Sequence, residues 1–172
     1  MSVEQPGRGP ASPAGSTLEF LIGDWDVDRQ ICDSRSGRRG SFLGTAMFSP
    51  AAGVVWYTER GELRFGDHCG PASRTLLYAA GPGGAADVRF ADGRDFFRLD
   101  LSSGRCQAEH QCGADRYQVT VTMVSQHSFA ETWQVAGPAK NYAMTTRYLR
   151  TGPGAAASAG AGSRESRDLR TG

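Results

Sequence analysis

The chain has 172 residues and a formal net charge of +1, a length typical of one domain with no marked charge of either sign. Arginine is spread along the whole sequence and balanced by Asp and Glu, so the basic stripe of nucleic-acid-binding proteins is missing. No apolar run approaches the roughly 20 residues that cross a bilayer, and we find no secretion signal. These features predict a cytoplasmic protein without nucleic-acid or membrane partners, a monomer or homodimer, whose four cysteines are free thiols.

The two ends of the chain differ in composition from the rest. Residues 1–16 and 151–172 are rich in Gly, Pro and small polar side chains. Such segments bury too little apolar surface to offset the entropy lost on ordering. We therefore predict disordered tails on either side of one β-barrel domain at residues 17–150.

The first predicted element is a short helix that begins at Thr17, which can cap it, and ends before Gly23. Leu18, Leu21 and Ile22 make the turn apolar. Because it directly precedes the first strand, this turn is expected to plug an open end of the barrel.

A side-chain period of two dominates the sequence from Trp25 onward. In the first strand Trp25, Val27, Arg29 and Ile31 share one face. The other predicted strands cover residues 41–48, 53–63, 73–80, 86–90, 94–101, 105–112, 116–123, 128–135 and 141–148. His68 and Cys69 are left in a loop.

The connections between these strands are too short for crossover helices, so the strands should pair antiparallel. Closing the sheet on itself removes its exposed edges. The prediction is an all-β fold with a single closed or nearly closed antiparallel barrel of about 8–10 strands.

The order of a short apolar turn, Gly-x-Trp on the first strand and an Arg at the end of the last strand is similar to that of calycins, the lipocalin-like barrels. In those barrels the Trp packs at the closed end against the Arg. The matching residues are Gly23, Trp25 and Arg150, or alternatively Arg147.

A second resemblance covers nearly all of the chain from Phe20 to Arg150. Its motifs, in chain order, are residues 20–33, 44–48, 57–61, Arg74, residues 90–94, 110–117 and 133–142. Together they resemble DUF6314, an uncharacterised bacterial family. The resemblance implies a calycin-like barrel and brings no known activity with it.

His110 is the residue with the widest range of possible chemical roles. It shares a strand face with Cys106 and Ala108, which should point into the barrel. An inward imidazole can serve as a general acid or base, a ligand contact or a haem ligand. The alternative is a buried neutral ring held by one hydrogen bond. Cys106, His110 and Cys112 span about 20 Å along the strand, too far to share one zinc ion, so no metal site is predicted.

Four charged side chains are in phase with inward-facing residues: Arg29, Glu59, Arg74 and Glu131. Buried charges must pair with each other, with water or with a ligand. They predict a partly polar cavity suited to a polar or anionic ligand. If a strand were out of phase by one residue, some of them would face solvent instead.

The aromatic residues Trp56, Tyr57, Tyr117, Trp133 and Tyr142 are expected to form the apolar walls of this cavity. Lys140, the only lysine, lies in a predicted loop at the barrel mouth. It is a candidate for anion binding or Schiff-base chemistry, with an ordinary solvated lysine as the alternative.

The favoured function is the binding of an unidentified small molecule by Arg29, Glu59, Arg74, His110, Tyr117, Glu131, Trp133 and Lys140. A first alternative is an isomerase or hydrolase in which His110 is the acid/base and Glu59 or Glu131 orients it. A second is a haem-binding barrel like nitrobindin. Outside that alternative no cofactor is predicted, and whether the protein is an enzyme stays open.

Overall fold

The computed structural model describes residues 15–152, and the predicted tails lie largely outside them. These residues form one α-helix, one 3-10 turn at Pro82–Gly84 and ten strands. The helix α1 spans Thr17–Leu21. The strands are β1 Gly23–Asp33, β2 Arg39–Ala51, β3 Val54–Phe65, β4 His68–Ala80, β5 Ala86–Phe90, β6 Asp95–Leu99, β7 Arg105–Cys112, β8 Asp115–Ser125, β9 Ser128–Ala136 and β10 Asn141–Thr151. No helix of this part of the chain is long and apolar enough to cross a membrane.

The strands form one antiparallel sheet in which consecutive strands pair, except β6 with β7, and β1 also pairs with β10. Only β6 and β7 lack a shared ladder, so the barrel is nearly closed, as predicted. Cys106 lies at this seam. Its Sγ is 3.6 Å from the carbonyl oxygen of Arg98 and 3.4 Å from the amide nitrogen of Asp100.

The predicted alternation of side chains is confirmed. On β1, Trp25, Val27 and Arg29 are buried, whereas Asp24 and Asp26 are exposed. The inward residues of all ten strands form one core because the sheet curves around them.

Several predicted element ends differ from the structure, and two of these differences change the role of a residue. Ser16, not Thr17, caps α1, because Glu19 lies three residues beyond Ser16 and completes a capping box with it. Thr17 Oγ1 instead accepts a hydrogen bond from the amide of Leu101 at 3.1 Å. β4 begins at His68, so His68 and Cys69 are not in a loop. Pro71 is tolerated there because β5 pairs only with the later part of β4.

The helix closes one end of the barrel. Trp25 Nε1 donates to the Leu21 carbonyl oxygen at 2.8 Å, and Arg150 Nη1 donates to that of Ile22 at 2.7 Å. The Arg150 guanidinium lies 4.1 Å from the centre of a Trp25 ring. The expected calycin-like contact is therefore made by Arg150, while Arg147 faces outward.

Candidate functional site

An ion cluster lies in the middle of the barrel. Arg29 donates two hydrogen bonds of 2.8 Å to the carboxylate of Glu59, one from each Nη. Its Nε donates to Thr146 Oγ1 at 2.9 Å. All three residues are buried, so the predicted inward phase of Arg29 and Glu59 is confirmed, and the structure supplies the partner that each buried charge requires.

The second arginine of the cluster is only partly paired. Arg74 Nε lies 3.4 Å from Glu59 Oε1, without hydrogen-bond geometry, and the guanidinium lies 5.4 Å from the centre of the Tyr57 ring. Neither of its two Nη groups donates a hydrogen bond to another residue of the described range 15–152. The side chain is 30% exposed although it is in phase with the buried Leu76 and Tyr78. Part of the Arg74 side chain therefore borders solvent-accessible space.

Hydroxyl groups connect this cluster to Glu131. Tyr57 donates to Glu59, its hydroxyl oxygen lies 3.2 Å from that of Tyr148, and Tyr148 donates to Glu131 at 3.2 Å. Burial raises the pKa of Tyr57 to about 12 and raises that of Tyr148 well above its ordinary value. Both hydroxyls therefore remain protonated donors at neutral pH.

Arg74 and Glu131 lie on opposite walls. β4 and β9 are five positions apart in the ring of ten strands. No ion pair joins the two side chains within the described part of the chain, and Glu131 accepts its bond from Tyr148 instead. The charge of Glu131 nevertheless helps to raise the pKa of Arg74, together with that of Glu59, so the two arginines and two carboxylates of the interior act on one another.

The pKa values in the cluster reflect this pairing. Burial alone would raise the pKa of Glu59, but the hydrogen bond from Arg29 and the charge of Arg74 hold it below its ordinary value. Burial would lower the pKa of Arg29, and the hydrogen bond to Glu59 raises it instead. Both groups are charged at neutral pH.

An aromatic wall lies on the side of the barrel near the seam. Trp133 stacks on Phe96 at 5.1 Å between ring centres and meets Phe97 edge-on at 5.4 Å. A β-bulge in the β5–β6 ladder lets the consecutive residues Phe96 and Phe97 both reach inward. Strict alternation does not predict this arrangement, so Phe96 was missed as a wall residue.

His110 belongs to this wall rather than to the ion cluster. It is half-buried, and its ring centre lies 5.1 Å from that of Phe96, 5.8 Å from Phe90 and 6.1 Å from Tyr117. No hydrogen bond is recorded within residues 15–152 between His110 and either Glu59 or Glu131. His110 points inward as predicted. It is not hydrogen-bonded to Glu59 or Glu131, one of which was expected to orient it as the acid/base.

Lys140 lies at the rim of the open end. Its Nζ is 2.8 Å from Asp115 Oδ2 and donates to the Tyr117 hydroxyl at 3.0 Å. These contacts raise the pKa of Lys140, whereas a Schiff-base lysine requires a lowered one. Next to it a cavity of about 400 Å³ opens at the mouth, lined by Ile31, Asp33, Phe65, Ala139, Lys140, Asn141, Tyr142 and Met144.

Among the aromatic residues expected in the walls, the prediction for Trp56 is wrong. Val55, Tyr57 and Glu59 face inward, so Trp56 faces out and is 37% exposed. Tyr148 and Thr146 were missed as polar partners, although their in-phase positions on the last strand offered a signal. No group of three or more potential metal ligands occurs among the described residues, in which Cys32, Cys69, Cys106 and Cys112 are free.

Comparisons with known proteins agree with the fold. Residues 21–150 match the sequence profile described as "Family of unknown function (DUF6314)". No curated protein matches the sequence.

Two solved structures are similar in architecture. The S-type phycobiliprotein lyase CPES from Guillardia theta has a TM-score of 0.56 and 8% identity over 78% of this chain and 90% of its own. A DUF3598 protein from Nostoc punctiforme has a TM-score of 0.55 and 10% identity over 84% of this chain, which spans about half of that protein (51%). At these identities the likeness shows a lipocalin-like barrel and nothing about activity.

Proposed function

The chain belongs to the DUF6314 family, whose function is unknown, and we propose that it binds a small organic anion inside its barrel. The fold is compatible with this role, because calycin-like barrels of this size have room for one small ligand. The proposal depends on the interior polar groups of this chain rather than on the structural neighbours.

The guanidinium of Arg74 is the observation that carries the proposal. Glu59 is already paired by two hydrogen bonds with Arg29, and its contact with Arg74 at 3.4 Å lacks hydrogen-bond geometry, so the second guanidinium keeps free donors. A guanidinium in a partly desolvated site favours a carboxylate or phosphate, which can accept two parallel hydrogen bonds. The Arg74 side chain is 30% exposed, so such a group could reach its Nη atoms.

The rest of the interior supports a ligand with one acidic group and an apolar body. Trp133, Phe96 and Phe97 supply apolar surface on the wall near the seam. Lys140 at the rim is already paired with Asp115, so we assign recognition of the acidic group to Arg74. Arg29 and Glu59 are paired with each other, so we do not assign them a direct contact with the ligand. Their role is to position Arg74, which Glu59 contacts.

The test combines native mass spectrometry of the freshly purified protein with calorimetric titration of 2-naphthoate and its neutral analogue 2-naphthamide. We expect a bound organic acid, or naphthoate affinity that exceeds naphthamide affinity. Arg74→Gln should weaken naphthoate binding about 10-fold to 100-fold, the size of a charge-assisted hydrogen bond. Arg60→Gln, on the outward face of β3, is the matched control and should bind as wild type.

Two results would contradict the proposal. One is the absence of both a co-purified acid and any binding of naphthoate, decanoate or decahydro-2-naphthoate at about 1 mM. The other is unchanged naphthoate affinity in Arg74→Gln, provided that its thermal unfolding shows an intact fold.

A further inference from the structure

We infer that the ligand is a flat aromatic carboxylate with a second hydrogen-bond acceptor on its ring system, and that Trp133 Nε1 donates to this acceptor. The inference rests on the proposed function and names the chemical class of ligand that the same interior would select.

The indole N–H of Trp133 is a buried donor without a partner. Trp133 is 3% exposed, and Nε1 has no acceptor among the described residues. Trp25 is equally buried, and its Nε1 donates to the Leu21 carbonyl oxygen at 2.8 Å. Leaving such a donor unsatisfied is unfavourable, and native structures rarely do so. A ligand acceptor would satisfy the Trp133 N–H in the same way as the Leu21 carbonyl satisfies that of Trp25.

Two other buried side-chain nitrogens lack a hydrogen bond in this part of the chain, Arg74 Nε and Arg89 Nε. Arg89 pairs with Asp95 at 3.2 Å, so it has an ionic partner away from the ion cluster. Arg74 and Trp133 face inward from β4 and β9, which lie on opposite sides of the barrel. A ligand between these walls would need an anionic group at one end and a neutral acceptor toward the other.

The surface near Trp133 is aromatic. Phe90, Phe96, His110 and Tyr117 are only half-buried although they belong to the inward-facing set. Their rings lie in a continuous series of contacts with centre separations of 4.4–6.1 Å. Ring faces and edges of this kind interact best with another π-system. A flat conjugated body therefore fits this wall better than a flexible aliphatic chain.

The mouth cavity borders the strand that pairs with the strand of Trp133. Met144 lines the cavity and is the cross-strand partner of Trp133. A volume of about 400 Å³ lies in the lower part of the range of small-molecule pockets. A bicyclic acid such as a naphthoate is an appropriate size of probe.

The test compares matched carboxylates by calorimetry on the full chain. 2-Naphthoate and decahydro-2-naphthoate share charge and length, but only the former is flat and aromatic. Quinoline-6-carboxylate and isoquinoline-6-carboxylate replace one ring CH of the naphthalene system by an acceptor nitrogen. We expect wild type to bind naphthoate at least about tenfold tighter than its saturated analogue. At least one of the two nitrogen analogues should bind about tenfold tighter than naphthoate.

Trp133→Phe keeps a flat ring against Phe96 and removes the N–H. In this variant the affinity ratio of the nitrogen analogue to naphthoate should fall to about one. Trp56→Phe, an outward-facing control, should keep the wild-type ratio. Equal binding of naphthoate and its saturated analogue by wild type would overturn the aromatic assignment, even if Trp133→Phe does not fold. A nitrogen preference absent from wild type, or unchanged in Trp133→Phe, would overturn the role of Trp133. Failure of every carboxylate to bind would instead contradict the proposed function itself.

Discussion

Glu59 holds together the charged residues in the centre of the barrel. It accepts two hydrogen bonds from Arg29 and one from Tyr57, and it lies 3.4 Å from Arg74. Two arginines thus depend on one carboxylate that is only 3% exposed. Removing one member of a buried ion pair costs more than the pair contributes, because the remaining charge stays desolvated.

Replacing Glu59 by Gln should therefore destabilise the fold by about 3–5 kcal/mol at neutral pH, as measured by urea unfolding. Burial alone would raise the pKa of Glu59, but the hydrogen bond from Arg29 and the charge of Arg74 outweigh it, so the pKa lies below the ordinary 4.5. A lowered folded-state pKa contributes stability above pH 4.5 that is lost as the pH falls through the folded value. The difference between wild type and variant should consequently shrink in acid.

Glu62→Gln is the control for this experiment, since Glu62 is an exposed residue of the same strand that pairs with Arg64. It should leave stability unchanged. A loss for Glu59→Gln no greater than for Glu62→Gln would show that the buried pairing contributes little to the fold.

The pairing of β2 with β3 shows how a strand element makes room for the cluster. Gly44 and Gly61 are opposite each other in this ladder. A Cβ on Gly61 would lie 2.2 Å from the Leu43 carbonyl oxygen and 2.7 Å from the Phe42 ring. The Phe42 ring in turn lies 5.2 Å from the Arg29 guanidinium. The close approach of the two backbones therefore determines where Phe42, and with it Arg29, can sit.

We expect Gly61→Ala to lower the free energy of unfolding by about 1–3 kcal/mol, the usual effect of overpacking a well-packed core. Gly70→Ala is the matched control, because a Cβ there would meet no atom closer than 3.5 Å. Gly70→Ala should be neutral or slightly stabilising. Chemical denaturation of both variants is the measurement, and equal stability would contradict the steric argument.

Closure of the whole barrel depends on contacts between the two ends of the described chain. β1 pairs with β10, and α1 covers the end where Arg150 lies beside Trp25. Arg150 donates to the carbonyl oxygens of Phe20 and Ile22, which terminate the helix. One side chain thus joins the last strand to the first two elements, and Gly23 leaves the space for it, since a Cβ there would lie 2.7 Å from Arg150 Nη1.

Arg150→Met retains an apolar chain beside Trp25 and removes both hydrogen bonds. We expect a loss of about 1.5–3 kcal/mol, typical of hydrogen bonds to charged groups, with faster amide exchange in α1. Arg147→Met, on the outward face of the same strand, serves as the control. Unchanged exchange in α1 would show that the helix is held by its apolar contacts alone.

The period of two in the sequence determined the number of strands, their antiparallel pairing and the inward phase of Arg29, Glu59, Arg74, His110 and Glu131. This was possible because side-chain alternation is a local property of each strand. The resemblance to calycins, not the period, predicted a closed-end contact of Trp25 with Arg150 or Arg147, and the structure places Arg150 there.

Only the tertiary structure decided which inward groups meet. Glu59 pairs with Arg29, Glu131 is reached through Tyr148, and His110 stands among rings at the seam. Partners across a barrel depend on strand stagger, on the bulge that turns Phe96 inward and on close approach at Gly44 and Gly61. None of these can be deduced from the alternation within one strand, because they arise from how several strands curve around a common interior.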